Sequence, residues 1–158
     1  MSESDETTDG SATDGSTTDG STTAPVVKRG ADLAVAEVDA GEGMSKGILI
    51  DDSDGAPNFA MRRFELAPGA HVPNHTNEVE HEQYVLAGEY TVGLGEASET
   101  PPEDGEAVAR EEHTVSAGDA MLIPAGVPHW YRNDGEEQAA FICVVPHGDD
   151  TIRVIDEE

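Results

Sequence analysis

Six histidines, at positions 71, 75, 81, 113, 129 and 147, are the side chains of this 158-residue chain best suited to chemistry. Imidazole is the commonest metal ligand, and its charge changes near neutral pH. Spacing separates the six. In an extended strand residues i and i+2 share a face about 6.6 Å apart, so His75 and Asn77 can point at one ion. His71 shares that face but lies about 13 Å from His75, outside any common coordination sphere. His81 follows the irregular stretch Asn77-Glu78-Val79-Glu80 and opens a run whose alternation puts His81, Gln83 and Val85 on one side. His129 follows Pro124-Ala125-Gly126-Val127-Pro128, where a turn re-enters a strand. Three imidazoles delivered from separate turns can make a metal site, although spacing alone equally allows buried histidines with no ion between them. His71, His113 and His147 are expected to be solvent-exposed beside carboxylates.

Other residues can supply a pocket around such a site. Arg62 and Arg63 are two of only eight cations, and alternation must send one inward and one outward. If Ala60, Phe64 and Leu66 form the core face, Arg62 joins them and needs an anion, from a substrate carboxylate or from the protein. Cys143 shares a face with Phe141 and Val145, either lining the interior or acting as a small hydrophobe. Met61, Met121, Phe64, Trp130 and Tyr131 are candidates for an apolar wall, with Trp130 also a candidate substrate contact. Gln83 could orient a ligand or a substrate, and Asn133 is placed to fix the turn after His129. Glu82 should face away from His81, which makes it a weak acid/base candidate.

The elements that must position these residues read as strands. After residue 25 short apolar runs alternate with Gly, Pro and Asp, and no segment sustains a helical period. Strands are expected at 47–50, 59–66, 82–94, 113–116, 120–123, 129–132, 138–145 and 151–155, an all-β sandwich or barrel. Turn signals at Ala87-Gly88-Glu89 and Asn133-Asp134-Gly135 predict two hairpins. Residues 96–111, with Pro101, Pro102 and many carboxylates, read as a mobile surface loop.

Composition bounds the function. The length suits one domain. Thirty-four acids against eight bases give a formal charge of −26, which argues against nucleic acid and against an anionic membrane surface as partners. No run of about 18 apolar residues and no secretory leader pattern are present, so the expected location is cytoplasmic. The lone Cys143 can form no intrachain disulfide. Residues 1–25 repeat Thr-Asp-Gly-Ser and read as a disordered acidic tail, leaving 26–158 as the folded domain. Only six acids and no base lie in that tail, so taking six charges from −26 still leaves −20 on the domain. Self-repulsion of that size is screened at about 1 M salt, where the Debye length is about 3 Å. A salt-accumulating, haloarchaeal cytoplasm is the expected setting, with loss of the fold in dilute buffer.

The segment from Gly118 to Asn133 carries Gly118, Pro124, Gly126, His129 and Asn133 at the spacing G-x5-P-x-G-x2-H-x3-N and resembles the second cupin motif at every fixed position. Gly69, His75, Asn77, His81 and Gly88 resemble the first motif, G-x5-H-x-H-x3,4-E-x6-G, with Asn in place of the second His and His81 in place of the Glu. The likeness covers most of residues 45–146, and in particular the sequence is similar to small single-domain cupins that hold manganese or iron with four histidines. It implies a double-stranded β-helix, or jelly-roll barrel, and a divalent ion on His75, His81 and His129. Asn77 would be a weaker ligand or would leave its position to water. Mn or Fe is the expected ion, with Ni or Zn as alternatives. The implied activity is that of a metal-dependent enzyme on a small molecule, foremost an oxygen-using oxidoreductase. A non-redox isomerase or lyase on a sugar or hydroxy acid, and a non-catalytic binding barrel, are the alternatives. Cupins are commonly dimeric, so a homodimer is expected.

Overall fold

The computed structural model describes residues 23–95, 111–147 and 152–154. Ten strands run through them: β1 (Val35–Glu37), β2 (Glu42–Ile50), β3 (Phe59–Asn77), β4 (His81–Ala87), β5 (Glu89–Leu94), β6 (Glu111–Ser116), β7 (Ala120–Ile123), β8 (His129–Arg132), β9 (Ala139–Pro146) and β10 (Ile152–Val154). The only helices among the described residues are single 3-10 turns at Gly30–Asp32 and Asp52–Asp54. None is long and apolar enough to cross a membrane.

The fold is two bent antiparallel ribbons. In the first, β3 runs against β9 over residues 59–66 and against β8 over residues 71–75. In the second, β4 pairs with β7 and β5 with β6. Each ribbon crosses from one sheet to the other, giving the orders β2-β3-β9-β4-β7 and β10-β3-β8-β5-β6. This is an all-β double-stranded β-helix, the jelly roll expected from the sequence. Phe64, Leu66, Val72, Val85, Tyr131 and Phe141 meet in the core between the sheets.

The bends explain where the sequence reading went wrong. Both turn signals are real turns, but neither closes a hairpin: β4 pairs with β7 and β9, not β5, while β8 and β9 both flank β3 and do not pair with each other. At each turn the chain changes sheets, a choice made by distant partners rather than by the turn residues. Gly88 has φ +76°, and a Cβ there would lie 2.6 Å from the Gln138 carbonyl oxygen, so this bend packs directly on the other ribbon. Gly69, Gly118 and Gly126 also have positive φ.

Asn133 holds the first bend, as expected. Its side-chain amide donates to the carbonyls of Leu66 and Glu137, both at 2.9 Å, and its oxygen accepts from the Gly135 N–H at 3.0 Å.

Strands 120–123 and 129–132 match β7 and β8, and β9 is displaced by one residue at each end. β1 was not anticipated, and β2 begins five residues before the expected strand. The run at 59–66 is only the first part of β3. Pro68 and Pro73 mask its continuation, and both lie where the ladder to β8 and β9 is interrupted, as residues without an N–H must. Of the expected tail, residues 1–22 lie outside the described residues, as do 96–110 of the expected loop.

Candidate metal centre

Three strands bring the three histidines together. The β3–β8 register sets His75 directly opposite His129, with ring centres 4.2 Å apart. His81 starts β4, and its ring centre is 6.3 Å from that of His129. Asn77 follows His75 by two residues, and all four side chains are buried.

Backbone carbonyls orient two of the rings. His75 Nδ1 lies 2.8 Å from the Pro73 oxygen and His129 Nδ1 2.8 Å from the Val127 oxygen. A carbonyl can only accept, so both Nδ1 atoms carry hydrogen and both Nε2 atoms present a lone pair. His129 Nε2 and Asn77 Oδ1 are buried with no hydrogen-bond partner among the described residues. Burial, and then the neighbouring His75, hold the His129 imidazole well below the usual histidine range, so it is neutral and ready to ligate. His81 Nδ1 lies 3.2 Å from Cys143 Sγ, which fixes that ring from behind.

Imidazole nitrogen and amide oxygen are donor types that a divalent ion takes. Two imidazoles on one ion, each nitrogen about 2.1 Å from it, have ring centres about 4.5–5.5 Å apart. The observed 4.2 and 6.3 Å fall on either side of that range. Among the described residues no three His, Cys, Asp or Glu groups are gathered tightly enough to hold an ion as they stand.

Beside the cluster lies a cavity of about 140 Å³. Its wall includes His75, Asn77 and His81 together with the apolar Val72, Phe64 and Phe141. Gln83 Nε2 donates to the Tyr131 hydroxyl at 2.8 Å, leaving the phenolic hydrogen free to face the cavity. Burial pushes the Tyr131 phenol up, so it remains a donor at any ordinary pH. Arg62 lines the cavity, with its guanidinium 5.4 Å from the Phe64 ring centre and Nη2 3.5 Å from Cys143 Sγ. Arg63 points outward and pairs with Glu65 at 2.8 Å.

Several expected residues stand elsewhere. Trp130 does not line the cavity: His129 and Tyr131 face inward, so alternation turns Trp130 to the other side. There it packs on Gly93, where a Cβ would run into the indole, and beneath Arg132, whose guanidinium is 4.9 Å from the ring centre. Met61 is on the outer face and 38% exposed, so it is no part of the wall. Cys143 is fully buried behind the cavity, touching Arg62 and His81 rather than lining the space. Glu82 faces outward, and a hydrogen bond shared with Glu80 pushes its carboxyl up. His71, His113 and His147 are exposed, as expected.

The sequence reading missed Lys46 and the polar role of Tyr131, both of which line the cavity. A signal for each exists: Met44, Lys46 and Ile48 alternate on one face of β2, and Tyr131 shares the face of His129.

A family model described as "Cupin domain" matches residues 62–145, more than half of the chain. Among solved structures, the polyketide cyclase RemF from Streptomyces resistomycificus is 28% identical, with 83% of this chain and 87% of that chain covered at a TM-score of 0.67. A cupin-2 domain protein from Rhodospirillum rubrum is 18% identical, covering 86% and 84%, at 0.66. A predicted oxalate decarboxylase from Thermotoga maritima is 21% identical, covering 77% and 98%, at 0.60. No curated protein matches the sequence.

Proposed function

Since the chain belongs to the cupin family, we propose that it is a metal-dependent enzyme acting on a small molecule, in the first place an oxygen-using oxidoreductase. The observation that carries this reading is the pair of buried, facing imidazoles, His75 and His129, whose Nδ1 atoms are tied to backbone carbonyls so that both Nε2 atoms are left for an ion. A divalent ion held by His75, His81 and His129, with Asn77 as a weak fourth ligand, would supply a Lewis-acidic centre, and manganese or iron would add a redox couple.

The protein's own groups do the rest. Arg62 binds an acidic group of the substrate, and the Tyr131 hydroxyl donates a hydrogen bond to substrate oxygen while Gln83 holds it in place. Phe64, Phe141 and Val72 exclude water and limit the size of what enters.

A non-redox isomerase or lyase is the second reading, favoured by the likeness to a cyclase. Oxygen uptake by manganese- or iron-loaded protein, measured against a panel of small carboxylic and hydroxy acids, separates the two. The first reading expects substrate loss coupled to oxygen consumption and abolished by His81→Ala. Equal turnover without oxygen would establish the second. Metal-loaded protein that turns over nothing would contradict both and leave a binding barrel.

A further inference from the structure

Five of the nine large apolar side chains exposed among the described residues, Phe59, Met61, Tyr84, Leu86 and Leu122, share one surface, the outer side of β3, β9, β4 and β7. Strand register makes it continuous. Met61, Val144, Glu82 and Leu122 form one row across it, and Arg63, Ile142, Tyr84 and Ala120 form the next. Between the rows lies a hollow lined in part by Tyr84, Leu122, Ile142 and Val144.

Acid is scarce on this face. The outer positions of the four strands carry only two carboxylates, Glu65 and Glu82, in a chain with 34 acids and a formal charge of −26. Arg63 neutralises Glu65 at 2.8 Å, and Glu82 turns to Glu80 at the start of β4. Copies of so acidic a protein repel wherever their carboxylates meet, and across this face they can approach without that cost, while molar salt screens the rest. Arg63 is the one cation among these outer positions and is already paired, so the face has nothing to draw a polyanion.

Its area suits a second copy. Phe59 and Leu122 are about three-fifths exposed, Tyr84 about half, and Met61 and Leu86 somewhat over a third. At roughly 200 Å² for each large side chain, these five leave about 500 Å² in water, toward the upper end of what soluble monomers expose in one patch. Two such faces together remove about 1,000 Å² before any rim is counted, the size at which a specific interface holds. We propose that this chain forms a two-fold dimer in which the outer faces of β3, β9, β4 and β7 pack against each other, with Tyr84, Leu122, Ile142 and Val144 at the centre. Resemblance to cupins implies a dimer but not where its halves meet, and this face supplies the place. His81, Gln83 and Cys143 point to the opposite side of the same strands, so the interface backs the histidine site and contains none of its residues. In dilute protein the face returns to water, and substitutions on it then act on association and hardly on the stability of the single chain.

Sedimentation equilibrium of the full chain in molar KCl, over a wide range of protein concentration, tests this. The expected result is twice the 16.6 kDa chain mass. Leu122→Glu sets like charges near each other across the two-fold axis and should raise the dissociation constant about tenfold or more, shifting the protein to single-chain mass. Tyr84→Glu should do the same, and it decides the matter should Leu122→Glu lose the far-ultraviolet circular dichroism of the natural chain. Thr114→Glu, on the exposed side of β6 in the other sheet, should stay dimeric. Single-chain mass for the natural protein at every concentration, which would leave the face to a different partner, overturns the proposal. So does a dimer or larger assembly that the folded Leu122→Glu or Tyr84→Glu variant leaves intact, or one that Thr114→Glu breaks as readily.

Discussion

Across β3, β9, β4 and β7 the residues Arg62, Cys143, Gln83 and Met121 lie side by side on the inner face, and Met61, Val144, Glu82 and Leu122 lie side by side on the outer face. One residue of register separates the two rows. The inner row buries a guanidinium and an amide, at 9% and 3% exposure, while the outer row leaves Leu122 58% exposed. Hydrophobic partition alone would give the opposite arrangement. A polar group inside a barrel is costly unless bonded, and here the bonds run to Tyr131 and Cys143 and onto a cavity. The comparison teaches that the inner row is kept for what it holds, and that core stability comes from the aromatic residues behind it.

The largest effect should come from those aromatics. Phe141→Ala removes a 1% exposed ring stacked 5.2 Å from Phe64 and should cost about 3–5 kcal/mol in urea unfolding. Gln83→Leu keeps the volume but leaves the buried Tyr131 hydroxyl without its partner, for a loss of about 1–3 kcal/mol.

Acid should also act on the inner side. His129 titrates below its unfolded value in the folded protein, so the unfolded chain binds the proton first. Metal-free protein should therefore hold full stability above about pH 6.5 and lose up to about 1.4 kcal/mol per pH unit below it. His129→Gln should flatten that slope in pH-dependent unfolding curves.

On the outer face the effect should nearly vanish. Leu122→Ser is expected to move the unfolding midpoint by no more than about 0.5 kcal/mol, and a loss above 2 kcal/mol would erase the contrast between the faces.

Much of this was legible in the sequence because period-two alternation is local. It placed Arg62 inward and Arg63 outward, set Gln83 with His81, and bounded β7 and β8. The same rule, applied from His129, turns Trp130 away from the cavity, where it had been expected as a wall and substrate residue. The two failed hairpins at Gly88 and Asn133 have a different origin: a turn is encoded by its own residues, but the sheet that the next strand joins is decided by partners dozens of residues away. The second half of β3 was hidden because Pro68 and Pro73 look like strand breakers, whereas they occupy gaps in the ladder. Lys46 shares a face with Met44 and Ile48, but what that face meets became visible only once β2 was seen to pack beside β3. The cluster of His75, His81 and His129 was legible from the motif spacing, but its ring separations were not.

The most direct test of the metal centre is metal content per chain, by mass spectrometry on native protein purified in molar KCl without an affinity-metal step, with His75→Ala prepared alongside. Near-stoichiometric manganese or iron, lost in the variant, is the predicted result. No metal in either protein, even after reconstitution, would contradict the account and leave His75, Asn77, His81 and His129 as the polar lining of a binding barrel.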